Sequence, residues 1–285
     1  MAEDMLGNYR LVKCILTGQT TQVWEAVETS SQRHFAIKQL LPDRGADAEA
    51  RNALYHEAKV GLEMTHPNVI RIVHVSNEKT NHYFVMEYFP SGSLKTRLLQ
   101  KNYDFIREHA HSIFKQAATG LAYMNASGWV HRDIKPDNLL VNGKGELRII
   151  DFAIAQRIQS ANFFTRLFRR RQGFVQGTRS YMSPEQIRGQ MLDGRADIYS
   201  YAATLYELTT YRPPFRAATQ QELLQKHIIE KPASLLSFNP DLTSEFNDLV
   251  LRCLAKKRED RPESFHDVLK ALNQLRVYKD DPARK

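Results

Sequence analysis

The sequence predicts an α+β fold in two lobes: a small antiparallel sheet with one helix, then a larger and mainly helical part. Three observations carry this. Up to about residue 90 the chain consists largely of short runs of β-branched and aromatic residues separated by polar turns. Beyond Pro90-Ser91-Gly92-Ser93, apolar residues recur at helical spacing instead. The 285 residues, 42% hydrophobic and 25% charged, suffice for one large domain or two lobes and sit near the globular average.

Taken in order, residues 9–16, 23–29 and 34–40 read as strands. A helix is expected from about 46 to 64, and His66-Pro67-Asn68 ends it because proline disfavours helical backbone in the residue before it. Segments 70–76 and 83–87 follow as strands. Residues 107–126, 195–210, 244–254 and 264–277 carry the helical period. Pro90 to Gly92 is the best boundary between the two parts.

Composition excludes several classes. No apolar run approaches the ~20 residues of a membrane-spanning helix. The short acidic start lacks the basic-then-apolar order of a signal peptide. Cys14 and Cys253 are too few for a disulfide framework and fit a reducing, cytoplasmic setting. The net charge of +8 suits nucleic acid, phosphate or anionic lipid equally, and on a chain this size it is also an ordinary solvated surface. One segment is compositionally odd: between Phe163 and Phe174, aromatics interleave with Arg166, Arg169, Arg170 and Arg171.

The most specific stretch is His131-Arg132-Asp133-Ile134-Lys135-Pro136-Asp137-Asn138, followed by apolar Leu139-Leu140-Val141. A second apolar run, 147–150, delivers Asp151-Phe152. Two acids and an amide on loops flanking a hairpin supply hard oxygen donors, which suit Mg²⁺ together with phosphate oxygens. A lone Asp-Phe would be a solvated turn; the whole string in this order is not.

With these residues the sequence resembles the eukaryotic-type protein kinase family, serine/threonine branch, from about Tyr9 to Val277. The resemblance implies a catalytic domain over 9–277, with a first lobe to about 88, a hinge at about 87–92, a second lobe from 93, and short tails at 1–8 and 278–285. Phe35-Ala36-Ile37-Lys38 matches the strand carrying the phosphate-holding lysine, and Glu57 matches its ion-pair partner. Met86-Glu87-Tyr88-Phe89 matches the gatekeeper and hinge, whose backbone binds adenine, with Val23, Ala36 and Leu140 around the ring. Asp133 is implied to orient the substrate hydroxyl, Lys135 to stabilise the transferred phosphoryl group, and Asn138 and Asp151 to hold the metal. Ser183-Pro184-Glu185 matches the end of the activation segment, Arg261 the partner of Glu185, and Asp197 an acid steadying the catalytic loop. Lys135-Pro136 and Thr178 mark the serine/threonine branch. Implied with these are ATP, Mg²⁺ (Mn²⁺ being the alternative ion) and a protein substrate.

Three positions depart from the pattern. Aligned on Val23, the glycine-rich loop falls on Leu16, Gly18 and Thr21, so only the middle glycine remains. Asp151-Phe152-Ala153 ends in alanine rather than glycine. Gly61 replaces a bulky apolar residue expected to pack toward Phe152, so the Glu57 helix is expected to be loosely held and Gly61→Leu to raise activity, the alternative being that neighbouring residues already fill the space and leucine would overpack. The alternative to an active kinase is therefore a pseudokinase that binds nucleotide or serves as a scaffold. Activity is favoured, because acid/base and metal-ligand roles fail sharply when a group is lost, whereas positioning defects are graded. Arg132, beside Asp133, goes in this family with control by loop phosphorylation. Six arginines (157, 166, 169, 170, 171 and 179) between Asp151 and Glu185 point to phosphate on Thr165 or to an acidic partner. Nucleic acid is disfavoured as the partner, since the basic aromatic segment lies inside the activation loop.

Overall fold

The computed structural model describes residues 5–76, 78, 80–158 and 178–282. Contacts divide the chain into two units, Met1–Pro90 with Ile150–Ile154, and Ser91–Ile149 with Ala155–Lys285.

The first unit holds strands β1 (Met5–Leu6), β2 (Tyr9–Thr17), β3 (Thr21–Glu28), β4 (His34–Leu40), β5 (Ile72–Val75) and β6 (Tyr83–Glu87), and helix α1 (Ala48–Leu62). The strands pair antiparallel in the order β1-β2-β3-β4-β6-β5. Neighbouring residues on a strand face opposite sides. Val85 accordingly joins a core with Leu6, Tyr9, Ala26 and Ile37, while Phe84 joins another with Leu40, Leu54, Ala58 and Ile72. α1 belongs to the second of these. Asp47 caps it, accepting from the N–H groups of Glu49 and Ala50. Its buried residues Ala50, Leu54, Glu57, Ala58 and Gly61 recur every three or four positions, which makes one stripe.

The second unit holds β7 (Gly92–Ser93), α2 (Leu94–Leu99), α3 (Tyr103–Ala126), β8 (Trp129–Val130), β9 (Leu139–Val141), β10 (Leu147–Ile149) and β11 (Gln156–Arg157). After these come α4 (Pro184–Ile187), α5 (Gly194–Thr210), α6 (Gln220–Ile229), α7 (Ser244–Cys253) and α8 (Phe265–Gln274). β10-β9-β7 form one small sheet and β11-β8 another. α5 is buried on every side from Ala196 to Thr210, as a helix at the centre of its unit must be. Among the described residues, no helix is long and apolar enough to cross a membrane.

Four details differ from the sequence expectation. Residues 5–8 are not a tail, because Met5 and Leu6 pair with Arg10 and Tyr9, and Leu6 is buried. Nor are residues 278–282: Tyr278 is buried and bridges to Leu242, while Asp280 binds Arg107. The last helix stops at Gln274, since Leu275 turns extended. α6 was not anticipated: His227 is its only buried residue, and the apolar residues beside it, Leu223, Leu224 and Ile228, make a short stripe that is only half-buried.

Candidate active site

In the first unit the register sets Lys38 of β4 opposite Val23 and Phe84, and Ala36 opposite Met86. Lys38 reaches α1, where its Nζ donates to Glu57 Oε2 at 2.6 Å, and it stands 3.9 Å from Asp151 Oδ1. Burial would lower the Lys38 pKa, but Glu57, followed by Asp151, more than offsets this and holds the ammonium charged. Burial also pushes the Glu57 carboxyl up, against the pull of Lys38. Asp151 sits at φ 69°, a left-handed conformation rare outside glycine, and its Oδ1 accepts a long 3.4 Å bond from the Ala153 N–H. Phe152 is fully buried.

Gly61 contradicts its sequence reading. A Cβ built there would lie 2.7 Å from Ile72 Cγ1, closer still to Ile72 Cδ1, and 3.3 Å from Phe152 Cε2. Ile72 of β5 already fills the space, so glycine is needed for close approach and the expected gain from Gly61→Leu is withdrawn. The other two departures are mild. Neither Gly18 nor Ala153 sits at positive φ, and the Gly18 N–H closes a tight turn onto the Thr21 carbonyl at 2.8 Å.

In the second unit a network gathers on Asp133. Its Oδ1 accepts from the Thr178 N–H at 2.8 Å, and its Oδ2 from Lys135 Nζ at 2.7 Å and Asn138 Nδ2 at 3.1 Å. Burial would raise this carboxyl; the Lys135 charge and hydrogen bond, the Thr178 amide and His131 together pull it below the usual range. Lys135 also donates to Thr178 Oγ1 at 2.6 Å. Asn138 Nδ2 donates to the Asp133 carbonyl as well, at 2.8 Å, which leaves the amide oxygen as an acceptor. Beneath the loop, buried Asp197 accepts from the N–H groups of His131 and Arg132 at 2.8 and 2.9 Å and from Asn125 Nδ2 at 3.1 Å. Glu185 and Arg261 form a buried two-bond fork. The Asp151 carboxylate in the first unit and the Asn138 amide oxygen in the second are each a hard oxygen donor of the kind a small divalent cation takes.

The protein kinase domain family matches residues 9–272. The chain belongs to the protein kinase family.

This kinase domain is similar to a probable serine/threonine-protein kinase of Clostridium acetobutylicum, 31% identical over 97% of this chain and 41% of that protein. It is similar to serine/threonine-protein kinase PrkC of Bacillus subtilis, 30% identical over 92% of this chain and 39% of the other. Serine/threonine-protein kinase PknA of Mycobacterium tuberculosis is 31% identical over 93% of this chain and 61% of its own. The chain thus spans about two fifths of the length of the first two relatives. The relatives are named serine/threonine-protein kinases, and nothing in these likenesses favours a pseudokinase. Membership brings ATP, a divalent cation and protein as the substrate class.

The structure brings Lys38, Glu57 and Asp151 together in one unit, and Arg132, Asp133, Lys135, Asn138, Thr178 and Asp197 in the other. Leu140 lies half-buried on β9, opposite Arg148. Glu87 pairs with Phe35 and binds the Arg71 backbone, while Phe89 is half-buried after β6. Leu16 is 62% exposed at the end of β2. Thr165 and the segment around it lie outside the described residues. Of the six arginines, Arg157 donates to the Ser127 carbonyl and stacks over Trp129, and Arg179 binds Gln220. Sequence reasoning missed Asn125, whose amide donates to the Trp129 carbonyl and to Asp197, and Gln186, whose amide reaches the Arg132 carbonyl. Each is an ordinary polar residue on a helix, with no local signal.

Proposed function

We propose that this domain transfers the γ-phosphate of ATP to a serine or threonine hydroxyl of a protein, with Mg²⁺ as its working ion and the cytoplasm as its place of action. The observation that carries this reading is the Asp133 carboxylate, fixed through both oxygens by Thr178, Lys135 and Asn138. A carboxylate held below its usual range is a weak base, so Asp133 orients the incoming hydroxyl and takes its proton late in the transfer. Lys135, 2.7 Å from Asp133, sits beside that hydroxyl and offsets negative charge on the moving phosphoryl group. Lys38, kept charged and aimed by Glu57, grips the α- and β-phosphates. Val23, Ala36 and Leu140 pack the adenine, and the backbone of Met86, Glu87 and Phe89 meets its edge. Asp151 and Asn138 offer oxygens to the divalent ion, which neutralises phosphate charge.

A phosphate on Thr165 regulates the domain in this reading. Because Arg157 and Arg179 already have partners, the arginines at 166, 169, 170 and 171 would meet it. An acidic partner protein is the other occupant that the same charges suit.

Incubating the protein with radiolabelled ATP, Mg²⁺ and a serine/threonine peptide library tests the activity. Label in peptide supports the reading. ATP binding by thermal shift without label in peptide or protein would overturn it in favour of a pseudokinase.

A further inference from the structure

Arg132, the residue before Asp133, stands at φ 73°, in the left-handed region that an arginine adopts only when its surroundings hold it there. Its two peptide groups are held from different elements. Its N–H donates to Asp197 Oδ1 of α5 at 2.9 Å. Its carbonyl, which shares a peptide plane with the N–H of Asp133, accepts from Gln186 Nε2 at 2.8 Å. That N–H in turn reaches His131 Nδ1 at 3.3 Å. Gln186 is itself fixed. It is buried on α4, its own N–H donates to the Ser183 Oγ cap at 3.3 Å, and its neighbour Glu185 is locked to Arg261.

We propose that Gln186 is a positioning residue for Asp133. By holding the Arg132 carbonyl it fixes the peptide plane leading into Asp133, and so sets where the carboxylate meets the substrate hydroxyl. The inference rests on the kinase reading above. It also links the end of the activation segment to the catalytic loop through a side chain rather than through charge. Small misplacements of a reacting group cost rate far more than binding, so the effect belongs in kcat.

The test is Gln186→Met, which keeps the buried volume and loses the donor, alongside Gln186→Glu, which keeps the shape and turns an acceptor toward the carbonyl. Both should lower kcat about tenfold and leave KM for ATP and peptide within about twofold; Gln186→Met should also keep a melting temperature close to the parent's, whereas Gln186→Glu, which buries a carboxylate against a carbonyl, should lower it. Unchanged kcat, a loss carried by KM, or unfolding of both Gln186 variants would each overturn the proposal. An inactive parent would instead sink the kinase reading.

Discussion

The Glu185 carboxylate grips the Arg261 guanidinium through two hydrogen bonds of 2.7 and 2.8 Å, with the two side chains 4% and 0% exposed. The same guanidinium donates to the carbonyls of Ala255, Arg195 and Lys256. One side chain thereby ties α4, the start of α5 and the loop after α7, and every donor on it is directed at an oxygen.

Breaking that fork should therefore be costly. Glu185→Ala leaves a buried guanidinium without its counter-charge, for which about 3–5 kcal/mol is the usual loss. Urea unfolding should show a lower midpoint at an unchanged slope. The double variant Glu185→Leu/Arg261→Met removes both charges but also the donor to three carbonyls, so it should recover only part of the loss. A single-variant loss below about 1 kcal/mol would mean that the fork adds little.

Gly61 makes a prediction opposite in sign to the one its sequence context suggests. Any Cβ at this position must push Ile72, so Gly61→Leu should destabilise by about 1–3 kcal/mol and lower activity with it, since α1 carries Glu57. Initial rate and melting temperature measured on the same preparation decide the matter. A stable and more active leucine variant would show that Ile72 yields.

His227 predicts an acid weakness. Its ring is buried, its Nδ1 lies 2.9 Å from the Tyr199 hydroxyl, and burial together with the nearby Lys256 ammonium lowers its pKa from 6.5 to about 3. The unfolded chain binds the proton more readily than the folded one. The stabilisation is thus complete above about pH 6.5 and is lost progressively as pH falls toward 3. Glu57, raised by burial, contributes with the opposite sign over part of that range, so parent and variant must be compared. Melting temperature against pH should fall less steeply below 6.5 in His227→Gln than in the parent. Parallel curves would count against the buried neutral imidazole.

The sequence was most legible where period and chemistry coincide. α1 could be read because its buried residues keep helical spacing, and Lys38, Glu57, Asp133, Asn138 and Asp151 were named because the motifs around them resemble those of the protein kinase family. α6 was missed because its stripe is short: Leu223, Leu224 and Ile228 flank one buried histidine over barely two turns. Ile72 could not be foreseen as the filler of the space beside Gly61, because the two come together only through the packing of β5 on α1. Gln186 was equally hidden, for an amide on a single-turn helix acquires meaning only when its partner is a backbone carbonyl in another loop.

Asp133 and Asp151 should fail in different ways, and that difference is the sharpest check on the assignment. Asp133 binds Thr178, Lys135 and Asn138, and in the proposed reading it meets the substrate hydroxyl rather than the nucleotide. Asp133→Asn keeps the size of the group but replaces an acceptor oxygen with a donor facing Lys135 or Thr178. Transfer should drop by at least about a hundredfold while ATP affinity stays within about twofold. Asp151 sits 3.9 Å from Lys38, and in the proposed reading it holds the metal ion at the phosphate end of the nucleotide. Asp151→Asn removes a charged metal ligand, so ATP binding measured with and without Mg²⁺ should lose its metal dependence, and transfer should fall alongside. Equal loss of nucleotide binding in both variants would show that Asp133 serves the nucleotide rather than the hydroxyl. Parental transfer rates in both would remove these acids from the chemistry altogether.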